Sequence, residues 1–371
     1  TIVLSEREAE TYPVHLYTMA ADRIGVKHDD FILENEQIRA CIDNKSGRLI
    51  SLVDKRTGIE TIANGIGAGF TYVETEVNGM TAWTIGRHLK DIPVDRCTDL
   101  KLKLDGKLRK SVKAVYEIND SKIEVVYSLD RGASALKMTL KIDWRDHGMG
   151  KDMLPLLDYR VPIAYETDEY QYDIPVGSIR RKENHNDVPA LQYGMALHKT
   201  GTGNAILISD SKYGYRGADN TLALTLINSA INPDPYPERG IHRITLWLGT
   251  CTADEKKAEE MATGLNRGLL YQPSNCHTGT LPMEYSLLKV DGENAVVSGI
   301  LPDEDGSVLV RVYETAGQSA WAKITFNQAV EEATAVNLKG ESLPEKTKIE
   351  GNQVLLKLEP YSIAAVRVRL A

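Results

Sequence analysis

What the chain lacks narrows the field first. No apolar run reaches the ~20 residues that a membrane-spanning helix needs, so no membrane partner is expected. There is no basic excess: 44 Lys and Arg against 52 Asp and Glu leave a net charge of −8. A phosphate-binding surface needs the opposite balance, which argues against nucleic acid and fits a neutral ligand. The four cysteines, Cys41, Cys97, Cys251 and Cys276, form no C-x-x-C pair. They offer no metal knuckle and are too sparse for a disulfide scaffold. Reduced thiols and a cytoplasmic location are expected. A Ser-His-Asp order, a phosphate loop, an internal repeat and a low-complexity tract are all missing. The chain also opens on Thr1, with no initiator methionine and no basic–apolar–small leader. It is therefore expected to be a piece of a longer or processed polypeptide.

What is present is alternation at period two. Ile123, Val125, Tyr127 and Leu129 fall on one face of a segment whose other face carries Lys122 and Glu124. Leu136, Met138, Leu140, Ile142 and Trp144 alternate with Lys137, Thr139, Lys141 and Asp143. Leu222, Leu224 and Leu226 repeat the pattern, as do Val308, Val310 and Val312, and then Val366, Val368 and Leu370. One apolar face and one wet face predict antiparallel strands in stacked sheets. A hairpin is predicted from Ile38 to Asp54, with Asn44-Lys45-Ser46-Gly47 as its turn. Gly65-Ile66-Gly67-Ala68-Gly69 lacks a βαβ context and reads as a bend rather than a dinucleotide turn. One helix is predicted near 252–267, capped by Thr252 with Glu255 three residues on. Ala258, Met261, Ala262 and Leu265 form its apolar stripe, and Gly268 its stop.

The expected organisation is mainly β. Residues 1–28 form a linker or strand from an upstream region, residues 29–272 a large β-sandwich, and residues 280–371 a small one. Pro273, Gly279 and Pro282 mark the stretch between the two sandwiches.

Four segments in order resemble the C-terminal β-domain region of glycoside hydrolase family 38, the α-mannosidase type. The first is Leu33-Glu34-Asn35-Glu36 with the hairpin segments Ile42 to Gly47 and Leu52 to Gly58. The second is Asp173 to Arg181 with Asp187-Val188-Pro189-Ala190-Leu191. The third is Asp210-Ser211-Lys212-Tyr213-Gly214-Tyr215, continuing to Pro233-Asp234-Pro235 and Gly240-Ile241-His242-Arg243. The fourth is Leu358 to Ile363 before the last strand. The resemblance implies a galactose-mutarotase-like β-supersandwich followed by a small β-sandwich. It also implies retaining hydrolysis of α-mannosides by an Asp nucleophile and a zinc ion, both in an N-terminal domain that this chain does not contain. The partners so implied are carbohydrate and that upstream catalytic domain. No catalytic residue and no cofactor are expected in this chain; homo-oligomerisation and a phosphorylated or mannosyl-conjugate substrate are left open.

The candidate substrate-binding residues are Arg180, Arg181, Asn184 and Asn186 in one loop, and Lys212, Tyr213, Tyr215 and Arg216 around a Tyr-Gly-Tyr turn. Arginine and asparagine present forked hydrogen-bonding groups that suit sugar hydroxyls or a neighbouring carboxylate. The tyrosines suit either a sugar ring or a buried corner. His185-Asn186-Asp187 and His28-Asp29-Asp30 imitate the family's His-x-Asp zinc motif. Val188-Pro189-Ala190 follows the first where the family has Pro-Gly-Trp, so His185 and Asp187 are expected to be decoys. Asp168, Glu169 and Asp173 are the obvious acidic cluster and read as a solvated loop. Two rival functions stand beside the fragment. One is a free-standing mutarotase-type epimerase, for which His88, His198 and His242 are candidate bases. The other is a carbohydrate-binding module, against which the dispersal of the four tryptophans weighs.

Overall fold

Period-two patterning becomes sheet pairing throughout the chain. The structure is a computed structural model, and it describes residues 15–20, 29–201, 203–276, 278–280, 282–292, 294–303, 306–344 and 347–371. His28 lies outside them. The chain parts into two compact units. Among the described residues, the larger holds those from 15 to 173 and 179 to 253; the smaller holds those from 174 to 178 and 254 to 371. The helix Glu255–Asn266 therefore groups with the smaller unit, and the 270–282 stretch lies inside that unit.

In the larger unit a nine-stranded and a six-stranded antiparallel sheet share one core with a small five-stranded sheet. The expected apolar faces point inward: Ile123, Val125, Tyr127 and Leu129 are fully buried, as are Leu136, Met138, Ile142 and Trp144. The Ser121–Asp130 and Ala135–Trp144 strands pair antiparallel, Val125 opposite Leu140. The Phe70 ring meets Tyr116 and Tyr159 edge-on at 5.5 and 5.4 Å, a preferred aromatic arrangement. Trp144 donates its indole N–H to Ser229 Oγ at 2.8 Å, so its polar edge is satisfied inside the core. The expected hairpin forms between Ile38–Ile42 and Leu49–Asp54, and its turn is held by Asp43, which accepts from the Ser46 amide at 2.6 Å.

In the smaller unit two four-stranded sheets enclose Val310, Val312, Ile324, Leu356, Val366 and Val368. The helix buries Ala258 and Ala262, as its stripe predicts, but its cap differs. Asp254 caps it by accepting from the Lys257 amide at 2.9 Å. Thr252 lies two residues upstream of that cap, too far to reach the open amides of the first turn.

Candidate functional site

Both faces of the six-stranded sheet are used, and they differ in chemistry. Its strands run in the order Asn184–Pro189, Gly214–Ala218, Thr221–Asn228, Met153–Pro162, Gly69–Glu76, His88–Pro93. Tyr159, Val161, Leu222 and Leu224 face the core. Asp158, Arg160, Arg216, Ala223 and Thr225 alternate with them and face the other way. On that side Arg160, Arg216 and Ala223 floor a cleft of about 940 Å³, whose lining also includes Glu76, Asn78, Trp83, Arg87, His88, Asp91, Asn186 and Asp187.

The floor is an ionic network. Arg216, 7% exposed, binds Asp187 at 2.6 Å through Nη1 and Asp158 through Nη2. Arg160 reaches Asp91 at 2.5 Å and Asp158 at 3.1 Å. The Thr225 hydroxyl lies 2.5 Å from Asp187 Oδ2 and 3.1 Å from Asp158 Oδ1. A hydroxyl has one proton and can donate to only one of them. Burial pushes the Asp187 carboxyl up, against the opposing charge of Arg216 and the hydrogen bonds from Thr225 and Arg216, and helped by the charge of Asp158. Burial lowers the His88 pKa, and the Arg216 charge adds to the effect, so the imidazole is neutral near pH 7. Hydrogen bonds from Arg160 hold Asp91 below the usual carboxylate range.

Local irregularity aims these groups. The pairing of Met153–Pro162 with Thr221–Asn228 shifts register between Leu157 and Asp158. Asn184–Pro189 slips against Gly214–Ala218 between Asn184 and Val188, the segment holding His185, Asn186 and Asp187. Gly69–Glu76 slips against His88–Pro93 between Glu74 and Thr75, beside His88. Bulges of this kind turn side chains out of their alternating positions and recur next to functional sites. Gly214 completes the arrangement, because a Cβ there would stand 2.9 Å from Asp187 Oδ2.

The structure sorts the expected site residues. Arg216 and Asn186 line the cleft, together with His185. Asn184 does not line the cleft; its Oδ1 accepts the Asn186 amide at 3.0 Å. Arg180 donates to Gln171 Oε1 and to the Ala253 carbonyl, both at 3.3 Å, and Arg181 is exposed on the same strand; neither lines the cleft. Lys212 is half-buried, and burial lowers its pKa. Tyr213 is exposed and also lies off the cleft. Tyr215 corrects the sugar-stacking expectation: it is fully buried and donates its hydroxyl to the Gln192 carbonyl at 2.9 Å, forming the corner of the strand.

The zinc-like tripeptide has no metal-site geometry. Asp187 turns to Arg216 and Thr225, whereas His185 Nδ1 lies 3.7 Å from Asp219. Among the described residues no three His, Cys, Asp or Glu side chains converge as metal ligands. In the acidic cluster Asp173 is buried and accepts from the Leu191, Gln192 and Tyr193 amides, while Asp168 and Glu169 lie 3.6 Å from Lys182. His198 stacks on Tyr165 at 4.3 Å, and its Nδ1 accepts the Gly201 amide at 2.9 Å. His242 Nε2 lies 2.7 Å from the Glu238 carbonyl. Both are positioned by local structure, and of the three candidate bases only His88 lines the cleft.

Sequence reading missed Asp158, Arg160, Asp91 and Trp83. The first two carried a signal: opposite charges two apart around Tyr159, inside the otherwise apolar Leu154 to Pro162. Asp91 and Trp83 sit in polar surroundings with no periodicity to distinguish them.

The larger unit is a β-sandwich with a polar cleft on the outer face of its six-stranded sheet, and comparison supplies its family. Residues 33–236 match the model described as the glycosyl hydrolases family 38 C-terminal domain. Residues 294–366 match the family's C-terminal beta sandwich domain. The chain belongs to glycosyl hydrolase family 38, and the matched parts are its C-terminal domains. An alpha-mannosidase of Saccharomyces cerevisiae is 23% identical over 92% of this chain and 35% of that protein. Alpha-mannosidase 2C1 of Mus musculus is 24% identical over 90% of this chain and 33% of that protein. The chain thus spans about a third of the length of the curated relatives it matches. Among solved structures, an alpha-mannosidase from Enterococcus faecalis V583 superposes with a TM-score of 0.72 at 15% identity, covering 91% of this chain and 42% of that one. That likeness shows the shared fold. No helix among the described residues is long and apolar enough to cross a membrane.

Proposed function

We propose that this chain is the non-catalytic C-terminal region of an α-mannosidase-type glycoside hydrolase. It buttresses an upstream catalytic domain of the same polypeptide and borders its substrate cleft. The whole protein hydrolyses α-mannosides or related mannosyl conjugates, with zinc held in the catalytic domain. One observation carries the proposal: two family 38 C-terminal models match in order, over a chain that corresponds to 35% of a full-length relative. The residues at His185 and Asp187 do not fit a zinc site, because the Asp187 carboxylate is already spent on Arg216 and Thr225.

The test is an aryl α-mannoside assay on the 371-residue chain, with and without added zinc. No turnover above the buffer rate is expected. Steady mannoside hydrolysis that follows the chain through purification would overturn the proposal. A parallel mutarotation assay on α-galactose separates the epimerase alternative, which requires rapid anomer exchange abolished by His88→Ala.

A further inference from the structure

Trp83 is 70% exposed at the mouth of the cleft, although tryptophan is ordinarily mostly covered. Its exposure is built into the loop. Thr81, fully buried, accepts the amides of Ile231 and Asn232 at 2.8 and 3.0 Å. The Ala82 amide donates to the Asn232 carbonyl at 3.0 Å, and Thr84 donates its hydroxyl to the Asn78 carbonyl at 2.7 Å. Gly86 closes the loop where a Cβ would stand 1.9 Å from the Glu76 carbonyl oxygen, a contact no other residue tolerates. A rigid loop that holds an indole in water presents a platform.

We propose that this cleft is a binding site for one neutral, unphosphorylated sugar ring, laid by its C–H face on Trp83 and read through its hydroxyls by the polar walls. The proposal goes beyond the function above, because binding here belongs to the 371-residue chain alone and needs no upstream domain. Three observations carry it. The volume of about 940 Å³ lies in the ordinary range for small-ligand pockets and leaves room for one ring with water. The walls mix acceptors and donors, Asn78, His88, Asp91 and Asn186 among them, and a sugar hydroxyl is both donor and acceptor. Each arginine lining the cleft is matched with carboxylates: Arg87 with Glu76 at 3.8 Å, Arg160 with Asp91 and Asp158, Arg216 with Asp158 and Asp187. A phosphate dianion would have to displace those carboxylates and then face them, so an anionic sugar is disfavoured.

The test is an NMR titration of the 371-residue chain, reading the four tryptophan indole N–H signals. The probes are the methyl α-glycosides of mannose, glucose and galactose, and mannose 6-phosphate. Expected is a saturable shift of the Trp83 signal with at least one neutral glycoside, at a Kd of roughly millimolar order. Trp144, Trp247 and Trp321 stay still. Trp83→Ala weakens binding about tenfold or more without changing the melting temperature, and Asn186→Ala weakens it by a smaller factor. Mannose 6-phosphate binds about tenfold weaker than the matching neutral sugar. A Trp83 signal unmoved by every neutral glycoside would overturn the site. Unchanged affinity in Trp83→Ala would overturn the platform. Tighter binding of the phosphorylated sugar would overturn the ligand class. None of these outcomes bears on mannoside turnover, so failure here is distinguishable from failure of the proposed function.

Discussion

Glu314 in the smaller unit and the Asp158–Asp187 pair in the larger one hold buried charge differently. In the smaller unit Glu314 is fully buried and accepts from the backbone amides of Ala316, Gly317 and Tyr361, at 2.8, 2.7 and 2.9 Å. That carboxylate ties a loop to a strand and needs no other side chain to do so. In the larger unit Asp158 and Asp187 are satisfied by side chains, Arg216 and Thr225, on neighbouring strands of one sheet. The first arrangement is a structural clasp. The second is a preorganised polar surface at the bottom of a cleft. Burial alone does not mark a functional carboxylate; what matters is whether backbone or side chains satisfy it, and whether a cavity adjoins it.

Breaking the larger unit's network should have the greatest effect. Arg216→Met leaves two carboxylates without their shared cation, at an expected cost of about 3–5 kcal/mol in urea unfolding. A cost below about 1 kcal/mol would mean that the network is a solvated surface after all.

Acid should act next, through Asp54. Burial opposes ionisation there, but hydrogen bonds from Arg56 and Thr250 outweigh it and hold the pKa at about 2, from an ordinary 3.8. The folded pKa is depressed, so the native state binds fewer protons than the unfolded one. Stability is fully present above the ordinary value and is lost as pH falls from about 4 through 2, by roughly 2 kcal/mol. Thr250→Val should shrink that loss, and an unchanged acid limb would refute the assignment.

Glu314→Gln should cost about 2 kcal/mol, because the amide cannot accept as strongly as a carboxylate at both oxygens. Signals from the smaller unit, such as the Trp321 indole, should report the loss. The same change should leave glycoside binding in the larger unit untouched, which sharpens the contrast between clasp and cleft.

Asp187→Asn should alter pH dependence more than stability at neutral pH. The raised folded pKa means that the native state takes up a proton before the unfolded chain does, so wild type gains stability as pH falls from neutral toward the ordinary carboxylate value. The variant lacks that gain; parallel pH–stability curves would sink the claim. Trp83→Ala should change stability least, by under about 0.5 kcal/mol in thermal melts, since an exposed ring contributes little to the fold.

Much of the β architecture was legible in the residues. Alternation along 122–129 and 136–144 assigned the buried faces, because one wet and one dry side force a period of two. The Tyr-Gly-Tyr turn was visible as a motif, but whether Tyr215 faced ligand or core was not, since a tyrosine suits both. The cleft was the least legible part. Its register slips at Leu157/Asp158, Asn184/Val188 and Glu74/Thr75 break the alternation by which facing is inferred. Arg216 and Asn186 stood out as polar candidates and line the cleft, whereas Trp83 and Asp91 had no local signal.

By itself the sequence determined the fold class, the inward faces of the long strands and the order of its family-like segments. These follow from local period and turn chemistry, which neighbouring residues encode. Only the tertiary structure decided which charges share a site. Asp158, Asp187, Arg216 and Trp83 are far apart in the chain, and sheet pairing, bulges and one pinned loop gather them around a single cleft. Their roles depend on burial and on each other's charge, quantities that exist only once the strands have paired.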